Sequence, residues 1–184
     1  MSATATRRVF ARQTVFSLTS AAVFLALGVL LPQVFHLALG QAGGQLFLPM
    51  HLSVLLAGCC LGWRFGALVG AITPLLSFFL TGMPPAPMLF MMMAELAIYG
   101  VTCGLLRRKA KLPLLVALPL ALVAGRLAYA ALLLLLVDWL HLLPGAGAFS
   151  VLTAVAAGWP GLLLQLALVP PLSKGLEKGR ERLG

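Results

Sequence analysis

The sequence predicts an all-α integral membrane protein: a bundle of six transmembrane helices with both termini in the cytoplasm. Three observations predict it. Hydrophobic residues make up 61% of the chain and charged residues 9%, with a mean hydropathy of +1.06. A soluble domain of that balance would expose far too much apolar surface, so lipid must be the solvent for much of the chain. The apolar residues also fall into runs close to the ~20 residues a span needs, and the chain has room for about six. The third observation is where the charge lies. Of thirteen Lys and Arg, Arg7, Arg8 and Arg12 precede the first run, Arg64 sits in a tight break, and Arg107, Arg108, Lys109 and Lys111 follow the fourth run. Lys174, Lys178, Arg180 and Arg182 close the chain, and the loops near 32–47, 81–87 and 138–149 contain no Lys or Arg. Positive residues collect on the cytoplasmic side, so this alternation fixes the topology. Residues 1–184 form one membrane domain, since no hydrophilic segment is long enough to fold separately.

In chain order, helix 1 is expected over 12–31, ended by Pro32. Its small residues Ser17, Ala21, Ala22 and Ala26 would let another helix approach closely in lipid. Residues 32–47 then read as an outer loop able to act as a lid, with Gln41–Gln45 at its tip. Helix 2 covers 48–62 with Pro49 in its first turn, and Trp63-Arg64 breaks it from helix 3 at 65–80. There Gly66, Gly70 and Pro74 recur every four residues, so close packing and a bend are expected on one face. The turn from Thr81 to Pro87 is stiffened by its prolines. Helix 4 covers 88–106, helix 5 covers 113–137, and helix 6 covers 149–172 after a Pro144-Gly145 turn. No repeat of 20–50 residues is visible.

The net charge of +9 is explained by topology and by contact with anionic lipid, and no nucleic acid is implied. Cys59, Cys60 and Cys103 lie within apolar runs without metal-ligand spacing, and read as small buried residues. The N-terminal TRRVFA resembles a twin-arginine signal, but the apolar run from Val15 to Leu31 is long for a signal peptide and no cleavage site follows.

Chemistry is carried by ionisable groups at membrane depth, each costing several kcal/mol unless paired or facing a cavity. Glu95 lies about 10 Å from the outer start of helix 4, and Arg126 about 16 Å from the outer end of helix 5. Tyr99 follows Glu95 at i+4 and Tyr129 follows Arg126 at i+3, so each shares its partner's face. Two readings stay open and are compatible: an ion pair stapling helices 4 and 5, or a polar cluster lining an outward-facing cavity. In the second, Glu95 accepts ligand N–H groups and Arg126 holds an anionic or carbonyl group. His51 at the mouth of helix 2 is either a ligand contact or an interfacial residue. The cluster Met88, Met91, Met92 and Met93 suits packing or an adaptable pocket wall rather than a metal site. No phosphate-binding loop, HExxH, CxxC or GxSxG motif occurs, and His36, His51 and His141 all fall near the outer surface. No enzyme, catalytic residue, metal or bound cofactor is expected.

Three stretches carry a resemblance: LPMHLSVLLAGCCLGWRFGALVGAITPLLSFFLTGMPPAP, then MMMAELAIYGVTCGLL, then GRLAY at 125–129. Together they resemble the substrate-binding S-components of energy-coupling factor (ECF) transporters, most specifically at Gly82–Pro85 and Glu95–Gly100. The resemblance implies a six-helix bundle in a bacterial plasma membrane that binds a vitamin in its outer half. It implies docking onto a transmembrane coupling protein and two cytosolic ATPases, which use the ATP, followed by toppling in the membrane to release cargo. The family's Ala-x-x-x-Ala docking surface falls on Ala22 and Ala26, extended by Ser17 and Ala21. The outer loop 33–47, the turn 82–85 and the outer halves of helices 4 to 6 would line the substrate site. Arg126 suits the carboxylate of a molecule such as pantothenate, and Met91, Met92 and Trp159 would suit the broad apolar face of a flavin or corrinoid. The alternatives are a self-sufficient secondary transporter using Glu95 as proton site, disfavoured by small size and lack of a repeat, and a membrane scaffold.

Overall fold

The computed structural model describes residues 3–86, 88–136 and 158–183, with backbone alone at 3–13, 41–45 and 180–183. Among the described residues there are six helices and no strand: α1 (Ala3–Phe47), α2 (Pro49–Leu61), α3 (Trp63–Thr81), α4 (Met88–Arg108), α5 (Leu114–Leu134) and α6 (Trp159–Leu183). Four stretches are long and apolar enough to cross a membrane, namely Thr14–Gly40, Trp63–Thr81, Met88–Arg108 and Leu114–Leu134. Leu-rich faces on these helices remain exposed, as at Leu30, Leu68, Phe90 and Leu115, which is what a lipid solvent permits. The chain is a multi-pass membrane protein.

The centre of the bundle is the shortest of the six. α2 is buried almost continuously from Pro49 to Cys60 and packs against α1, α3, α4 and α6. Its Val54, Leu55 and Ala57 meet Leu96 and Tyr99 of α4, Leu118 and Ala121 of α5, and Val169 of α6 in one core. Thirteen residues rise about 20 Å, against a hydrocarbon thickness of about 30 Å. The ends of α2 therefore sit at membrane depth, where every backbone polar group needs a partner from protein. They have them. The Leu48 carbonyl accepts from the His51 backbone N–H at 3.0 Å and from Gln165 Nε2 of α6 at 3.3 Å. At the other end the Cys60 carbonyl accepts from the Arg108 guanidinium.

Two breaks differ from the sequence expectation. α1 does not stop at Pro32 but runs on to a kink at Gly40 (φ 69, ψ −175), beyond which a second helical stretch reaches Phe47. A proline removes one hydrogen bond, which α1 tolerates because α2 and α3 pack beside it. Residues 32–47 are thus two helical stretches meeting at Gly40 rather than a loop. The second break is Gly62 alone at φ 98, not Trp63-Arg64. Its N–H closes α2 on Gly58 and its carbonyl accepts the Gly66 N–H that opens α3, so one residue turns the chain. α6 also runs beyond 172, through Pro170 and Pro171, to Leu183. The charged segment that follows the prolines is a good helix former and sustains it. Asp138, Trp139, His141, the Pro144-Gly145 turn and the expected helix start at 149–157 lie outside the described residues.

Glycine lets α2, α3 and α4 touch backbone to backbone. A methyl on Gly100 would meet the Gly66 carbonyl, one on Gly70 the Leu96 carbonyl, and one on Gly58 the Gly100 carbonyl at 2.6 Å. In lipid such close approach is a main source of helix association. Beside this seam Cys59 and Cys103 form a disulfide between α2 and α4, with Cα atoms 5.6 Å apart, leaving Cys60 as a thiol. All three cysteines are buried, as the sequence reading expects; the link between Cys59 and Cys103 is additional, since a spacing of 44 residues carries no signal and only the packing of α2 on α4 brings the pair together.

Gly100→Leu is expected to destabilise the bundle by at least about 1–3 kcal/mol, because backbone cannot move aside; thermal unfolding in detergent checks it, and an unchanged melting point would exclude the seam. Chain denatured without reductant should react with one maleimide, and with three after reduction. Three before reduction would refute the disulfide.

Candidate functional site

At the end of the bundle bearing Pro49, Gly82 and Met88, called here the pocket end, lies a cavity of about 510 Å³. It falls within the roughly 300–1,000 Å³ range of small-molecule sites. α1 contributes Pro32, Gln33 and His36; α2 contributes Pro49 to His51; and the turn after α3 contributes Met83 to Pro85. Met88, Met92 and Glu95 come from α4, Arg126 and Tyr129 from α5, and Gly158 from just before α6.

Its polar floor is built on Glu95. That side chain is 2% exposed and Arg126 is 11% exposed, with Arg126 Nη1 3.3 Å from Glu95 Oε1. Tyr99, one turn along α4, donates its O–H to the same oxygen at 2.8 Å. His51 Nε2 stands 3.7 Å from the other oxygen, Oε2, and its ring packs at 5.3 Å on the Tyr99 ring. A charge this buried is tolerable only when paired and hydrogen-bonded, and here three helices supply the partners. Glycines make room for two of them. A methyl on Gly125 would overlap the Tyr99 ring, and one on Gly158 would overlap Arg126 Nη2. Arg126 Nε and Nη2 and both ring nitrogens of His51 are buried without a hydrogen-bond partner among the described residues.

The cavity brings together Glu95, Arg126, His51, Tyr129 and Met92 of the residues singled out in the sequence. Tyr99 lies behind the floor and holds Glu95. Met91 is buried against Tyr129 and Leu133 instead of lining the cavity. Trp159 is 63% exposed and does not line it. His51 is 1% exposed, so it belongs to the floor and not to the membrane interface. Sequence reasoning missed Ser77, Gly125, Gly158 and Gln165. The glycines had one available signal: Gly125 directly precedes the buried arginine.

At the opposite, basic end, Arg107 bridges to Glu177 of α6 at 3.3 Å, while Arg64 and Lys109 lie over the Trp63 ring. The cations of this end brace helix termini to one another, and the charged floor of the cavity stands apart from them.

A family of matching description covers residues 16–173: ECF transporter, substrate-specific component. The chain belongs to this family. No curated protein and no solved structure matches it. The match spans all six helices, from the middle of α1 to the middle of α6, so the cavity and its floor lie wholly within the part that defines an ECF substrate-specific component. The chain is accordingly a substrate-specific transport subunit of the membrane.

If the floor is an interdependent set, Glu95→Gln alone should cost about 3–5 kcal/mol by leaving Arg126 buried and unpaired. The double variant Glu95→Gln, Arg126→Met should lose less than the two singles together. A double-mutant cycle on thermal stability measures this; additivity within about 0.5 kcal/mol would show that the two charges stand independently.

Proposed function

We propose that this chain is the high-affinity binding subunit of an ECF-type importer, and that a vitamin-like small molecule occupies the cavity floored by Glu95, Arg126 and His51. The observation that carries the reading is a charged, hydrogen-bonding floor set in a largely apolar cavity, in a sequence with no phosphate-binding loop. Apolar walls of Met83, Pro84, Met88 and Met92 favour the body of an organic molecule, and the unpartnered N–H groups of Arg126 favour an acceptor group on it. In this reading the pocket end faces outward, both termini are cytoplasmic and the membrane is a bacterial plasma membrane, because the basic end gathers the positive charge.

The work of transport then comes from outside the chain, from a transmembrane coupling protein and two cytosolic ATPases. Ala22 and Ala26 on the exposed face of α1 support docking there, since small residues allow close helix contact. Ser17 is half-buried beside them, and Ala21 turns into the core.

The test is co-expression of the chain with a coupling protein and ATPases from one host, with mass spectrometry of any small molecule that co-purifies and measurement of its ATP-dependent uptake. Arg126→Ala should reduce retention of that molecule more than His51→Ala does. Equal retention by both variants would remove Arg126 from the site. Uptake by liposomes containing this chain alone, abolished by Glu95→Gln, would point instead to a self-sufficient transporter.

A further inference from the structure

The floor of the cavity is asymmetric in a way that bears on the cargo. The guanidinium of Arg126 uses one nitrogen, Nη1, on Glu95. Its Nε and Nη2 have no partner among the described residues, and both are sealed from solvent. Those two nitrogens lie on the same edge of a planar fork, with N–H bonds nearly parallel. That spacing matches the two oxygens of a carboxylate. Gly158 packs against this edge without a side chain, and a Cβ there would overlap Nη2.

Charge limits what can fill this edge. Two bases, Arg126 and His51, face one acid, Glu95, across the floor. Tyr99 and Tyr129 add phenols, and His36 stands higher on the wall. With one ligand carboxylate beside Glu95, acids and basic side chains at the floor are equal in number. A second ligand charge, as on a phosphate monoester, would be buried without a counter-charge, which is strongly unfavourable. The remaining wall is mostly proline, methionine and leucine, with Gln33 and Ser77 as further polar side chains, and suits a largely apolar body.

Building on the reading of this cavity as the substrate site, we propose that the cargo is a small organic monocarboxylate, its carboxylate held side-on by Nε and Nη2 of Arg126 beneath an apolar body packed on Met88 and Met92. The Arg126–Glu95 contact through Nη1 stays in place when the ligand binds. Gly158 is then a specificity-determining position, because it clears the free edge.

The test uses the full chain purified in mild detergent. Small molecules released by denaturation are analysed by mass spectrometry before and after carbodiimide coupling to an amine, which adds mass only at carboxylates. In parallel, matched acid and neutral probes are titrated: nicotinate with nicotinamide, pantothenate with panthenol, biotin with biotin amide. The expected result is a released molecule, or a bound probe, with one carboxylate and at least about tenfold preference over its neutral counterpart. Arg126→Lys keeps the charge and loses the fork, and should weaken the acid about tenfold while leaving a neutral probe nearly unchanged. If Arg126→Lys does not give a folded protein by gel filtration, Gly158→Ala makes the same comparison by crowding Nη2. A released molecule lacking a carboxylate, a neutral probe bound as tightly as its acid, or undiminished acid binding in the variant overturns the carboxylate proposal and leaves the binding-subunit reading intact. No released molecule together with no binding of any probe sinks both.

Discussion

A carboxylate buried in a bundle that sits in lipid has to be answered from inside the protein, and the answer given to Glu95 organises this molecule. With 2% exposure it cannot borrow solvation from water. An isolated ion in that setting costs many kcal/mol, so several groups must converge on it. They come from different helices: Arg126 from α5, His51 from α2, and Tyr99 from the next turn of α4 itself. The relative positions of α2, α4 and α5 at this depth are therefore constrained by electrostatics as well as by packing. Gly125 and Gly158 follow from the same demand, since a side chain at either would displace the Tyr99 ring or the guanidinium.

The second constraint is the shortness of α2. A helix that does not reach across the hydrocarbon exposes its end groups where no water can satisfy them. Arg108 of α4 supplies a partner to the Cys60 carbonyl at the C-terminal end, and Gln165 of α6 adds a second donor to the Leu48 carbonyl at the other. The same shortness sinks the N-terminus of α2 below the rim, which puts His51 in the floor and opens volume above it. The chain enters α2 through Leu48, a non-glycine residue at φ 48, a conformation costing of order 1–2 kcal/mol. That strain sits beside the cavity and is held by the Gln165 contact and by Gly161, whose bare Cα packs on the carbonyl ends of Leu46 and Phe47.

Much of this was legible in the sequence, and what was legible had a common cause. Glu95 and Arg126 stand out because an ionisable residue in an apolar run is costly enough to need a reason. The Gly66, Gly70, Pro74 stripe stands out because small residues at a four-residue period have one natural use in lipid, and α4 lies against it. The failures also have causes. Pro32 reads as a stop because proline removes a backbone hydrogen bond; with neighbouring helices packed alongside, the helix passes through it. Met91 and Met92 differ by about 100° of helix rotation, a phase that an all-apolar helix does not encode in its pattern. Gln165 is one neutral amide among leucines, and the Cys59–Cys103 link depends on a tertiary contact that spacing cannot reveal. Trp159 drew attention by size, whereas its neighbour Gly158 lines the cavity by lacking a side chain.

The two constraints together explain how so small a bundle can present a prepared site. Because Glu95 is already answered by Nη1 of Arg126 and by the Tyr99 hydroxyl, the floor is held in place before any ligand arrives. A ligand group that meets the unused edge of Arg126 does not have to break the pair, so little of the contact energy goes into rearranging protein, and preorganisation of this kind raises affinity. The same feature makes release difficult from within. The floor is tied to three helices, and those helices are joined lower down by glycine contacts and by the Cys59–Cys103 bond. Loosening the grip on a ligand requires moving α2, α4 and α5 relative to one another at the pocket end, against the ion pair. Nothing in the described residues hydrolyses a nucleotide to drive that motion. Under the binding-subunit proposal, a site held this firmly has its release driven by motion of the helices that bear it.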